Sequence, residues 1–148
     1  MHSVQRYVPV VLRYLMGIIF FVFGLNGFFH FIPQPPMEGG AAAFAGALFA
    51  TGYMFPLLKA TEVVAGVLLL GNRFVALALA LLAPITINIF LFHTVLTPPN
   101  PVAFFVLLAN AYLAWSYRAA YRPMLAAKVA PAAPEAAPAA ATPASAAA

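Results

Sequence analysis

The chain has no cysteine. That absence excludes disulfide scaffolds, CxxC redox pairs, thiolate metal sites and cysteine nucleophiles together. Charge is almost as scarce. Seven Lys and Arg and three acidic residues make up 7% of 148 residues. A soluble domain carries about 25% charged residues, and a chain with so few cannot keep its surface hydrated. The net charge of +4 is too small and too dispersed for nucleic-acid binding. Also missing are a phosphate-binding P-loop, a dinucleotide fingerprint, a nucleophile elbow and an HExxH pair. No complete active site is written in the sequence.

What is present is apolar. Hydrophobic residues are 65% of the chain and mean hydropathy is +0.97. The composition reads as an all-α polytopic membrane protein, since the bilayer core requires every backbone group to be paired within a helix or a closed barrel. A spanning helix needs about 20 mostly apolar residues. The first expected span is Val8–Phe31. Its run from Tyr14 to Phe31, after Arg6 and Arg13, exceeds the usual signal-peptide apolar run of about 7–15 residues and no small-x-small site follows it directly, so it reads as a retained helix. Arg13 near its start is expected to snorkel to the headgroups. IPQPPMEGG, 32–40, is a loop, because its prolines and glycines stop a helix. Residues 41–52 suit a short interfacial or re-entrant helix: about 18 Å of rise cannot cross a core about 30 Å thick. Tyr53–Leu70 is the second span, Gly71-Asn72-Arg73 a turn, Phe74–Leu96 the third span, TPPNP a loop and Val102–Tyr117 the fourth. A four-transmembrane-helix bundle over 1–124 is therefore expected. The Ala/Pro-rich segment 125–148 reads as a disordered cytoplasmic tail.

Cation placement supports the count. Arg6 and Arg13 precede or open span one, Arg73 separates spans two and three, and Arg118, Arg122 and Lys128 follow span four. The connections 32–52 and 97–101 hold no Lys or Arg. Four spans put all these cations on one side, which the positive-inside rule makes cytoplasmic, with both termini there.

This topology brings embedded polar residues to one level in the outer half: Asn26 and His30 on span one, Lys59 and Glu62 on span two, Asn88 and His93 on span three, and Asn110 on span four. A charge at mid-membrane costs about 2.5–3.5 kcal/mol on insertion scales. Lys59 and Glu62, at i and i+3, can offset one another and are expected to face the bundle interior. Ala65 and Gly66 on the same helix would let another helix approach. Two readings of the pair stand side by side: an ion pair that fixes packing, or the polar contacts of a pocket. Asn26 and Asn110 suit interhelical hydrogen bonds. His30 and His93 sit near the interface, and a His-His-carboxylate metal set with Glu62 is not expected because Glu62 lies too deep. Asn88 and His93 are about 140° apart on an ideal helix, so they share a pocket only if the helix is distorted. Pro84 is expected to free the Ala80 carbonyl and loosen span three. The strings IIFFVFG and GFFHF read as packing or lipid-facing surface.

Three stretches in order, LRYLMGIIFFVFGLNGFFHFIPQPP, ATGYMFPLLKATEVVAGVLLLGNRF and LAPITINIFLFH, resemble the DoxX-like membrane proteins over residues 10–122. The family takes its name from a small subunit of an archaeal thiosulfate:quinone oxidoreductase. The resemblance implies a four-helix bundle of the bacterial cytoplasmic (inner) membrane, acting as an accessory subunit of a redox or stress-response system with redox partner subunits or further copies of itself. Without cysteine, any redox role must come from a bound quinone, a haem or a partner. The expected ligand is quinone-like or a small lipophile. A small-solute transporter and a ligand-free assembly partner are the alternative functions.

Overall fold

The computed structural model describes residues 2–131, with side chains from Tyr7 onward. Every regular element among them is helical. The elements are α1 (His2–Phe29), α2 (Gly39–Ala50), α3 (Met54–Leu70), α4 (Val75–Leu91) running into a π-helical turn (Phe92–Leu96), α5 (Pro101–Ser116) and a short 3-10 turn (Arg118–Tyr121). Two helices, Tyr7–Phe29 and Val75–Leu96, are long and apolar enough to cross a membrane. A third crossing results if α2 and α3, bent by 91° at their junction, count as one broken span; α5 is apolar but shorter. Of the expected tail, 132–148 lies outside the described residues, and 126–131 carry no helix.

The long helices close a ring in which α1 packs along α3, α3 on α4, α4 on α5, and α5 back on α1. The core runs through the middle: Met16 and Phe20 from α1, Ala65 and Leu69 from α3, Leu79 and Leu82 from α4, Val106 and Leu113 from α5. Outward positions are just as apolar. Ile18, Val67, Leu77, Ile87 and Leu108 are all exposed. Lipid tails are as apolar as these side chains, so helix association must come from close packing and hydrogen bonds rather than from hiding oil from water. The α1–α3 contact is close in that sense. A Cβ on Gly66 would stand 2.6 Å from the Phe21 nitrogen, so only glycine lets the two backbones meet there.

Arg13 corrects one expectation. It does not snorkel: its residue is 3% exposed, and its guanidinium donates to the carbonyl of Leu69 on the last turn of α3. The last carbonyls of a helix lack intrahelical partners and carry the negative end of its dipole. At the same end, Tyr121 Oη donates to the Ala76 carbonyl at 2.8 Å, tying the segment after α5 to the first turn of α4.

Other boundaries moved for local reasons. Helix α1 ends at Phe29 rather than Phe31, because His30 takes a left-handed backbone (φ 53°). Phe74 does the same (φ 50°) and so precedes α4 instead of opening it. Asn100 caps α5, its Oδ1 accepting from the Val102 nitrogen at 2.9 Å with Pro101 in the first turn; Asn before Pro is a favoured helix start. Helix α4 continues through Pro84.

Candidate functional site

At the end of the bundle opposite Arg13 and Tyr121, a cavity of about 350 Å³ lies between α1, α3, α4 and α5, with α2 across it. This falls in the usual range for small-molecule pockets, about 300–1,000 Å³. Its polar lining comes from Lys59, Glu62, Asn88 and His93, with Gln34 and Asn100. Its apolar lining includes Phe20, Phe23, Phe44, Phe55 and Phe92. The two phenylalanine-rich strings differ: Phe20 and Phe23 of IIFFVFG line the cavity, Phe23 at its exposed edge, while Phe28, Phe29 and Phe31 of GFFHF are exposed and do not line it.

Lys59 Nζ donates to Glu62 Oε2 at 2.8 Å. The carboxylate side chain is 4% exposed and that of the lysine 18%. Two features hold the pair. One is Gly27 of α1, over which the lysine stem passes: a Cβ on Gly27 would stand 2.4 Å from Lys59 Cγ. The other is Phe55, whose ring centroid is 5.6 Å from Nζ, near enough for a cation–π attraction. Glu62 Oε1 has no hydrogen-bond partner among the described residues.

Asn88 and His93 share this cavity. No distortion is needed between them: Phe92 N still donates to the Asn88 carbonyl as in an ordinary helix, and Ile89 and Phe92, at intermediate angles, line the cavity too, so it takes a broad face of α4. The i→i+5 bond of the π-helical turn, Thr97 N to the Phe92 carbonyl at 3.1 Å, closes over the segment that follows. His93 Nδ1 lies 2.9 Å from the Ile89 carbonyl. A carbonyl only accepts, so Nδ1 carries the hydrogen, and in the neutral form of the ring that tautomer has Nε2 as an acceptor. The Asn88 amide bonds to no described residue. It also lines an adjoining cleft of about 380 Å³ between α3 and α4, together with Glu62, Thr61, Leu81 and Pro84.

Three of the sequence-derived residues lie elsewhere. Asn26 is buried, and its amide clasps the loop: Nδ2 donates to the Ile32 carbonyl at 3.3 Å, and Oδ1 accepts from the Ile32 nitrogen at 2.6 Å. His30 is exposed and off the helix, so it does not share a helical face with Asn26. Asn110 faces away from the cavity. Its Nδ2 donates to Thr86 Oγ1 at 3.2 Å, and both line a separate void of about 310 Å³ between α4 and α5. Thr86, Gln34 and Asn100 were missed from sequence. Asn100 carried a visible cap signature before Pro101, whereas nothing local to Thr86 or Gln34 marks them. Among the described residues, no three His, Asp or Glu come together as a metal site.

Comparison with family models, with curated proteins and with solved structures found no match to this chain.

Proposed function

We propose that the chain is a DoxX-like, four-span protein of the bacterial cytoplasmic membrane that binds a small lipophilic, quinone-like ligand in the cavity beneath α2, as an accessory subunit of a membrane redox or stress-response system. Helices α1, α3, α4 and α5 are the spans, and α2 is a re-entrant cover. Helix α5, at 16 residues, has a rise of about 24 Å and spans with modest local thinning of the bilayer. The placement of Arg6, Arg13, Arg73, Arg118, Arg122 and Lys128 supports a cytoplasmic basic end and both termini inside. The cavity then opens in the outer half.

One observation carries the ligand reading. A buried ion pair, Lys59–Glu62, lines a mostly apolar cavity, and Glu62 Oε1 has no described partner there. Packing alone would favour closing such groups against protein, because an unpaired polar group in hydrocarbon is costly. The buried leucines Leu69, Leu79, Leu82 and Leu113 between the cavity and the basic end argue for a binding pocket over a through-path for solutes. The test is purification of the full chain in mild detergent followed by mass spectrometry of co-purifying small molecules, repeated on Glu62→Gln. Retention of a lipophile by the native chain and a loss of about tenfold or more in the variant is expected. Equal retention by a well-folded variant would dismiss the pocket.

A further inference from the structure

We infer that the cavity selects an aromatic ligand that donates a hydrogen bond, a phenol-type hydroxyl, over the same ring carrying only an acceptor. This rests on the binding-pocket reading and specifies the ligand's chemistry.

The inference follows from which atoms are already used. Glu62 Oε2 accepts from Lys59, while Oε1 accepts from nothing described. The Glu62 residue is 3% exposed, yet Oε1 is not among the sealed, unpartnered atoms; Glu62 lines both the cavity and the adjoining cleft, and the carboxylate meets a guest seated where the two join. His93 donates through Nδ1 to the Ile89 carbonyl, which leaves Nε2 as a second acceptor. The least replaceable vacancies on the polar wall are therefore acceptors, and one of them is a carboxylate oxygen, which an incoming O–H satisfies far better than a C–H can.

A hydroxyl fits the remaining inventory as well. Its oxygen can accept from the Asn88 amide, which bonds to no described residue, or from a Lys59 hydrogen not used on Glu62. A ketone or an ether meets those donors but leaves Glu62 Oε1 facing apolar matter. The ring is expected because Phe20, Phe44, Phe55 and Phe92 supply much of the apolar wall, and aromatic rings pair in stacked or edge-on arrangements with such neighbours. Phe44 and Phe92 already stand 5.8 Å apart, tilted at 48°.

The probes are 4-butylphenol and its methyl ether, 4-butylanisole, which share ring and tail but differ in the donor. Each is bound to the purified full chain by equilibrium dialysis in one detergent, with uptake by empty micelles subtracted. The phenol is expected to bind about ten- to a hundredfold more tightly, the usual worth of a hydrogen bond to a charged group. In Glu62→Gln, whose amide can also donate, that ratio should fall toward one while the protein keeps its elution volume and helical content. Equal affinities in the native chain would overturn the donor preference and leave the pocket standing. Failure of both probes to bind would overturn the pocket reading and this inference with it. A ratio that survives unchanged in a folded Glu62→Gln chain would remove Glu62 as the recognising group.

Discussion

The two ends of the bundle treat polar side chains in opposite ways. At the basic end, Arg13 is buried and its guanidinium is used on the Leu69 carbonyl, and Tyr121 closes on the Ala76 carbonyl. Each joins a chain end or helix end to a neighbour. At the other end, Glu62, Asn88 and His93 keep hydrogen-bonding positions open toward a cavity. Burial alone does not separate these classes, since Arg13 and Glu62 are each 3% exposed. What the open atom faces does: Arg13 Nε is unpartnered but sealed in protein, whereas Glu62 Oε1 is not among the sealed atoms. A polar group sealed among protein holds the fold, and one left open toward a void is available to a guest.

Glycine divides along the same line, and the largest predicted effect follows from it. At Gly66 an added methyl meets the backbone of Phe21, at 2.6 Å from its nitrogen and 2.9 Å from its Cα. Backbone cannot step aside as a side chain can, so α1 and α3 must part. Gly66→Ala should cost about 3 kcal/mol, the upper part of the range for overpacking. Gly46 in α2 meets nothing within 4 Å, and Gly46→Ala should stabilise by up to about 1 kcal/mol through helix propensity. Denaturant unfolding of the purified variants reads both. Equal stability of the two would mean that the α1–α3 crossing is looser than the structure has it.

Removing the guanidinium comes next. Arg13→Leu takes the charged donor from the Leu69 carbonyl at a buried helix end and leaves it the 3.3 Å bond from the Asn72 nitrogen. It should destabilise by about 1–3 kcal/mol, less whatever is regained by no longer burying a charge. Lipophile binding at the far cavity should not change. A variant that unfolds no more easily but binds less would erase the distinction between the two ends.

The helices themselves were legible because an unbroken apolar run in a bilayer has few alternatives, and because Pro, Gly and Asn clusters mark where runs stop. Lys59 and Glu62 could be paired from spacing alone, being one turn apart on one helix. The partners of Arg13 and Asn110 could not. Both depend on how two distant helices rotate against one another, and Arg13 resembles a snorkelling residue until α3 is seen to end beside it. Asn26 was sorted with the embedded polar residues, but the left-handed turn at His30 folds the chain back so that Ile32 takes both ends of the amide. His93 reaches the cavity because the opening is broad enough to take Asn88, Ile89, Phe92 and His93 together, a width that periodicity along one helix does not reveal. Local rules therefore recovered the elements and the i, i+3 pair, and they failed wherever the answer was a rotation angle between elements.

Gly27→Ala distinguishes holding from binding at the pocket end. The new methyl would meet Lys59 Cγ and Cδ, at 2.4 and 2.5 Å, which belong to a flexible side chain. The lysine should therefore move, with a stability cost of about 1 kcal/mol or less, while lipophile retention falls several-fold. A large loss of stability instead would make Lys59–Glu62 a packing device like Arg13.

The smallest effect belongs to the basic end. Tyr121→Phe removes one hydroxyl and its 2.8 Å bond to Ala76, leaving the ring in place. The expected loss is about 0.5–1.5 kcal/mol, because the Ala76 carbonyl, in the first turn of α4, retains its other possible partners. Burial also pushes the Tyr121 phenol above its ordinary pKa, since the phenolate would be poorly solvated there. The folded state therefore prefers the protonated form. Its contribution to stability is complete below the ordinary tyrosine pKa and is lost as pH rises through the higher folded value. Ultraviolet titration of the folded chain should show a tyrosine ionising late, and that step should be missing from Tyr121→Phe. If the late step persists in the variant, Tyr121 is hydrated, and the basic end is less tightly closed than Arg13 and Leu69 alone would suggest.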